Sequence, residues 1–243
     1  MLLKDDLYMT IVLYFMIILL TNMIQGITGF AGTVLAMPFC ILLLDIGIAK
    51  PVLNILTIIA CALIVVRSYK HIVWKEFFKM TGIMLLGVFI GEYVYALFPV
   101  DILLTIYAIF IIFIALKGMF VKKEFDLNEG ILIGIILSAG VIHGMFISGG
   151  PLLIIYAVKK IKDKESFRAT LSPVWIVLNM YILIKQLFLG IITVPMVNLV
   201  LIGMPALIIG VIIGGQMAKK MSQQAFMGLS YVLLLISGVS LII

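Results

Sequence analysis

Two short stretches hold most of the residues in this chain that could bind a ligand. Gln25-Gly26-Ile27-Thr28-Gly29-Phe30-Ala31-Gly32 interrupts an apolar run over 8–44. His143-Gly144-Met145-Phe146-Ile147-Ser148-Gly149-Gly150-Pro151 interrupts a second run over 130–158. Glycine lets a backbone unwind and come close to a ligand. A helix that restarts after such a break presents free N–H groups and the positive end of its dipole, which together attract an anion without any charged side chain. The substrate-binding candidates are therefore Gln25, Gly26, Thr28, Gly29 and Gly32 from the first break, and His143, Gly144, Ser148, Gly149 and Gly150 from the second. The competing reading is that these glycines only allow close helix packing.

His143 is the one ionisable group that falls deep inside an apolar run, which makes it a candidate for substrate contact or proton coupling. Glu92 follows Gly91 near a helix end and is a second candidate for proton coupling, with a surface pair to Lys185 as its alternative. Asn54 and Ser172 lie on the helices after the breaks and either line the site or bond across helices, and the same holds for Asn179. No P-loop, nucleophile–base set or metal-ligand cluster is present, so neither an enzyme nor an ATP-driven pump is indicated, and no cofactor is implied. Cys40 and Cys61 sit in apolar runs and read as small buried hydrophobes.

The elements that must position these groups are membrane helices. Of 243 residues, 65% are hydrophobic and 12% charged, and the mean hydropathy is +1.34. A soluble domain is nearer half apolar and a quarter charged, so lipid must be the solvent for most of this chain. In lipid every backbone polar group needs an internal partner, which makes segments of this length helical. The expected segments are a hairpin over 8–44, helices 51–67, 77–98 and 101–120, a hairpin over 130–158, and helices 169–187, 194–218 and 223–243. If both broken regions return to their starting side, all but Lys4, Lys50 and Lys185 of the 17 cations share one face. That bias fits the positive-inside rule and puts both termini outside the cell membrane. The net charge of +6 therefore reports orientation rather than nucleic-acid binding. A first region that crosses once gives an equally strong bias, so the first hairpin rests on its length and on an internal repeat.

That repeat emerges when the chain is slid against itself by 118 residues. Gln25 then falls on His143, Gly26 on Gly144, Gly32 on Gly150, Lys50 on Arg168 and Asn54 on Ser172. With five more residues of shift, Gly87-Val88-Phe89-Ile90-Gly91 falls on Gly210-Val211-Ile212-Ile213-Gly214. Each half, 1–123 and 124–243, reads as a hairpin plus three transmembrane helices. An odd number of crossings turns the second copy upside down. Paired Gly-broken segments in inverted repeats point to a secondary transporter. The fold class expected is all-α and polytopic. The two GxxxG motifs read as helix-packing faces.

The two glycine-rich breaks, Gly26 through Gly32 with Pro38, and Gly144 through Pro151-Leu152-Leu153, resemble those of the TauE/SafE sulfite exporter family. The likeness spans nearly the whole chain. It implies a membrane permease for sulfite, an organosulfonate or a related small anion, coupled to an ion gradient carried by protons or sodium ions. The chain departs from a triple-glycine pattern, with Gly29-Phe30-Ala31-Gly32 in one half and Ser148-Gly149-Gly150 in the other, and Tyr156 stands where the first half has Pro38. The alternatives are a passive anion channel and a non-transporting membrane partner subunit.

Overall fold

The computed structural model of the chain describes residues 2–120, 128–220, 222, 228, 231, 232, 235, 236, 238 and 239. Among them every regular element is helical: α1 (Leu2–Thr28), α2 (Ala31–Leu44), α3 (Ile46–Ser68), a 3-10 turn at Tyr69–His71, α4 (Trp74–Leu97), α5 (Val100–Phe120), α6 (Glu129–Phe146), α7 (Gly150–Lys160), α8 (Lys164–Phe188) and α9 (Val194–Lys220). Seven of these are long and apolar enough to cross a membrane, whereas α2, with 14 residues, and α7, with 11, are too short. The chain is a polytopic helical membrane protein. The expected last helix, 223–243, lies mostly outside the described residues.

Side-chain caps set several boundaries. Asp45 accepts from Gly47 N at 2.7 Å and starts α3 five residues before Pro51, where the apolar run had suggested. Asp163 accepts from Ser166 N at 2.8 Å and starts α8 five residues before 169. Asn128 caps α6 through Ile131 N at 2.9 Å.

The two short helices fold back on the helices before them. Gly32 of α2 lies against Gln25 and Thr21 of α1, and Gly149, which precedes α7, lies against Ala139 and His143 of α6. Around these hairpins α1 packs on α9, α6 on α4 and α3 on α8. The α1–α9 and α4–α6 contacts are made backbone to backbone, through glycine. A Cβ on Gly26 would sit 2.6 Å from Val211 O and 3.1 Å from Gly215 N. A Cβ on Gly144 would sit 2.4 Å from Val88 O and 3.1 Å from Glu92 N. Likewise Gly210 faces Leu19 O and Gly214 faces Met23 O, while Gly87 faces Leu137 O and Gly91 faces Val141 O. These contacts correspond pair by pair under the offsets of 118 and 123 residues. The GxxxG motifs are thus packing faces, and each pair of helices runs parallel.

The core between the helices is apolar and close-packed around Tyr14, Leu35, Met37, Met80, Met84, Phe146 and Leu178. Phe89, Ile109, Phe113 and Leu201 are exposed, as lipid-facing side chains should be.

Candidate binding site between the helix breaks

The first break turns at Gly29, whose φ of 80° lies in the left-handed region. Its N–H closes on Gln25 O at 2.7 Å. The second break turns at Ile147, which takes the same conformation at φ 55° and closes on His143 O at 2.7 Å. A β-branched residue is strained there, and the strain is held by burial on all sides. The two breaks meet, with Gly150 packed on the Phe30 ring.

Two adjoining cavities open at this meeting point. The first is lined by Asn22, Gln25, Gly32, Thr33, Leu56 and Thr57. The second is lined by Gln25, Phe30, Thr33, Thr57, His143, Ile147, Gly150 and Trp175. Each leaves about 10 Å³ free, room for about one water, so an oxyanion enters only if the lining side chains give way.

The two breaks differ in how their helix starts are satisfied. Sequence suggested free N–H groups at both. At the first, Thr28 Oγ1 accepts from Phe30 N and Ala31 N, each at 3.0 Å, and Gln25 Oε1 accepts from Gly32 N at 2.8 Å. Their oxygens occupy the amides that an anion would have used. At the second, no side chain caps α7 and Pro151 stands in its first turn. The Gly150 and Leu152 N–H groups precede the first helical acceptor bond, Leu153 N to Gly149 O, and carry the positive end of the dipole. His143 faces the same cavity. It is 2% exposed, and neither ring nitrogen makes a hydrogen bond of ordinary geometry, although the Asn179 side chain is near enough to act on it. Its ring stacks on Trp175 with centroids 5.3 Å apart, and the Trp175 indole donates to Gly29 O at 3.0 Å.

The structure therefore brings together Gln25, Gly32, His143 and Gly150, with Thr28 and Gly29 forming the first turn. Gly26 and Gly144 face α9 and α4 instead of the cavity, which explains both glycines by packing. Gly149 lies under His143 and Ala139. Ser148 Oγ donates to Phe146 O at 2.9 Å and does not line the cavity. Asn54 lies off it as well, donating to Asn179 O at 3.1 Å and to Gln186 Oε1 at 3.2 Å across the α3–α8 contact. Ser172 Oγ bonds back to Arg168 O at 2.8 Å. Glu92 is engaged by Lys185 at 2.9 Å and by Tyr181 at 3.0 Å. Trp175, Thr33 and Thr57 were not singled out from sequence. The offset of 118 pairs Thr57 with Trp175, three residues beyond Asn54 and Ser172, and that register was the signal available.

A bundle of apolar helices with two broken hairpins meeting at a small polar cavity is the architecture of a membrane transporter. The sulfite exporter TauE/SafE family matches residues 14–241, and the chain belongs to that family. No curated protein and no solved structure matches it.

Proposed function

We propose that this chain is a secondary transporter for a small anion such as sulfite or an organosulfonate, working by alternating access in the cell membrane. The halves 1–123 and 124–243 act as inverted repeats with both termini outside. The pairwise equivalence of the α1–α9 and α6–α4 contacts supports this reading, and the distribution of cations supports the orientation. The anion lies in the cavity between the breaks. It accepts hydrogen bonds from the α7 N-terminal amides and from His143, while Thr33 and Thr57, bonded to each other and through Thr57 to Leu53 O, line the same cavity without donating to it. Gln25 and Thr28 serve mainly to hold the first break closed. Coupling falls to His143, because the Glu92 carboxylate is already engaged by Lys185 and Tyr181.

One observation carries this reading: a buried histidine that makes no hydrogen bond of ordinary geometry and an uncapped helix N-terminus face the same small cavity. A buried polar group left unpaired costs about 1–3 kcal/mol, and a bound anion would satisfy both groups at once. The test is uptake of radiolabelled sulfite into proteoliposomes, with and without a proton or sodium gradient, for wild type and His143→Ala. The expected result is saturable, gradient-driven uptake that falls at least tenfold in the variant. Wild-type protein that is folded and monodisperse but moves neither sulfite nor simple sulfonates would overturn the reading. Saturable uptake untouched by His143→Ala would keep the carrier and remove His143 from its site. Flux that no gradient drives would favour a channel.

A further inference from the structure

Helices α3 and α8 pack antiparallel. Asn54, near the start of α3, bonds to Asn179 and Gln186 in the later part of α8, while Val73 N, just past the end of α3, bonds to Thr170 Oγ1 near the start of α8 at 2.9 Å. Lys50 lies near the start of α3, and Arg168 lies near the start of α8, one turn after Lys164, so Lys50 and Arg168 stand at opposite ends of the pair. Thr57 and Trp175 line the central cavity. Each lies seven residues after its cation, which is two turns, about 10 Å along the axis, on the same helix face. One cation therefore stands on either side of the cavity along the faces that line it.

The two ends are not chemically alike. Lys50 Nζ donates to Gly144 O at 3.0 Å and sits 4.2 Å from the Tyr95 ring centroid, with Glu92 close enough to act on its charge. The offset of 118 maps Lys50 onto Arg168, and the offset of 123 maps Val88 onto Val211 and Glu92 onto Gly215. A Cβ built on Gly215 would find one neighbour within 4 Å, Arg168 Nη2 at 3.8 Å. At the place where the Lys50 end has Glu92, itself paired with Lys185, the Arg168 end has a glycine and open space, and the acid that acts on Arg168 is the more distant Glu165. Among the described residues the ion pairs are His71–Glu165, Lys79–Glu129, Lys160–Glu129 and Lys185–Glu92. Arg168 belongs to none of them. Its nearest acid in sequence, Glu165, pairs with His71 at 3.7 Å and acts on Arg168 only from beyond ion-pair distance. Arg168 Nε is buried without a partner, and its Cα lies against Gly29, at the turn of the first break. A half-buried guanidinium with no carboxylate partner is costly unless an anion visits it. Its planar fork suits a bidentate oxyanion.

We propose that Arg168 is a second anion-binding station, at the mouth bounded by Gly29 and Gly215, through which the oxyanion passes between bulk water and the central cavity. Lys50, balanced by Glu92, holds the weaker equivalent place at the other mouth. The proposal rests on the anion-transport reading above. Its test must therefore fail separately from that reading.

Right-side-out and inside-out membrane vesicles from cells producing the full chain are compared for initial rates of radiolabelled sulfite transport. Arg168→Gln should raise the KM about tenfold when sulfite is offered from the Arg168 face, and leave it within twofold from the opposite face. Arg168→Lys should recover most of the loss. Gly215→Glu restores the missing acid beside an intact guanidinium and should reproduce the one-sided rise, whereas Gly215→Gln, of the same size, should not. Equal KM values on both faces for Arg168→Gln and Gly215→Glu, alongside saturable wild-type transport, would overturn this station and leave the central site standing. An equal loss in Gly215→Gln and Gly215→Glu would also overturn it, since bulk rather than charge would then be the cause. If Arg168→Gln does not accumulate, the Gly215 pair alone decides. Wild-type vesicles that move no sulfite would remove both proposals together.

Discussion

Replacing Gly144 by alanine tests whether the helix contacts, rather than a bound ligand, explain the glycine. The added Cβ would sit 2.4 Å from Val88 O, 3.0 Å from Val88 Cα and 3.1 Å from Glu92 N, all of them backbone atoms of α4. Ordinary contact begins near 3.4 Å, so α4 and α6 must part by about 1 Å along a shared face. Overpacking of this kind costs about 1–3 kcal/mol. Alanine returns up to about 1 kcal/mol of helix propensity. That gain is common to any glycine-to-alanine change on α6, so against such a control the expected loss is the overpacking cost, about 1–3 kcal/mol. Gly134, on the same helix, has nothing within 4 Å and is the matched control. Thermal unfolding of detergent-solubilised protein, followed by size-exclusion fluorescence, should place Gly144→Ala roughly 2–12 °C below Gly134→Ala, at about 2–4 °C per kcal/mol. Gly26→Ala, whose Cβ would meet Val211 O at 2.6 Å, should fall alongside it. If Gly144→Ala melts with Gly134→Ala, the backbone approach is not what selects glycine, and its place in the binding site must be reconsidered.

Other consequences are open to direct measurement. Trp175→Phe keeps an aromatic ring on His143 but strips the donor from Gly29 O, so it should cost about 1–2 kcal/mol in thermal unfolding and slow sulfite uptake. Gly29→Ala places a side chain at φ 80°, with its Cβ 3.2 Å from Arg168 Cα, and should destabilise by at least about 1–2 kcal/mol, measured the same way. Glu92→Gln should leave the gradient dependence of uptake intact in the proteoliposome assay, because the carboxylate is occupied by Lys185 and Tyr181. Asp163 is held below the usual carboxylate range, chiefly by the Ser166 backbone N–H. Its capping contribution is therefore present above the ordinary carboxyl pKa and fades as the pH falls through the lowered one, so Asp163→Ala should melt earlier at neutral pH, with the gap closing in acid.

The fold was largely legible in the order of residues because lipid imposes simple rules. Length and hydropathy mark the long helices, and Gly-rich interruptions mark the two places where a helix stops and restarts. The spacing of the packed glycines was legible too, since glycine at a backbone approach leaves a fixed spacing. Within the breaks, however, residue type alone does not separate binding from packing. Gly26 and Gly144 face other helices, while Gly32 and Gly150 face the cavity, and only the helix rotation distinguishes them. Thr28 was a sound candidate for polarity, but its hydroxyl accepts from the local backbone, as threonine often does beside a helix start. Trp175 escaped notice because an aromatic residue in an apolar helix has the signature of core. Its stack on His143 depends on α8 lying beside α6's break, which no local pattern encodes.

The pairing of α1 with α9 also sets a timetable for synthesis. Met23 meets Gly214, about 190 residues later in the chain, whereas Gly91 meets Val141 after about 50. At roughly 5–20 residues per second, the α4–α6 pair can close within about 3–10 s, while α1 waits about 10–40 s for its partner. During that interval the face of α1 that will receive α9, with Asn22 and Gly26 on it, has no partner in the bilayer. The newborn protein thus spends much of its assembly with one glycine groove zipped and its twin open, and the open one is where insertion factors, quality-control proteases or a stalled ribosome would find it.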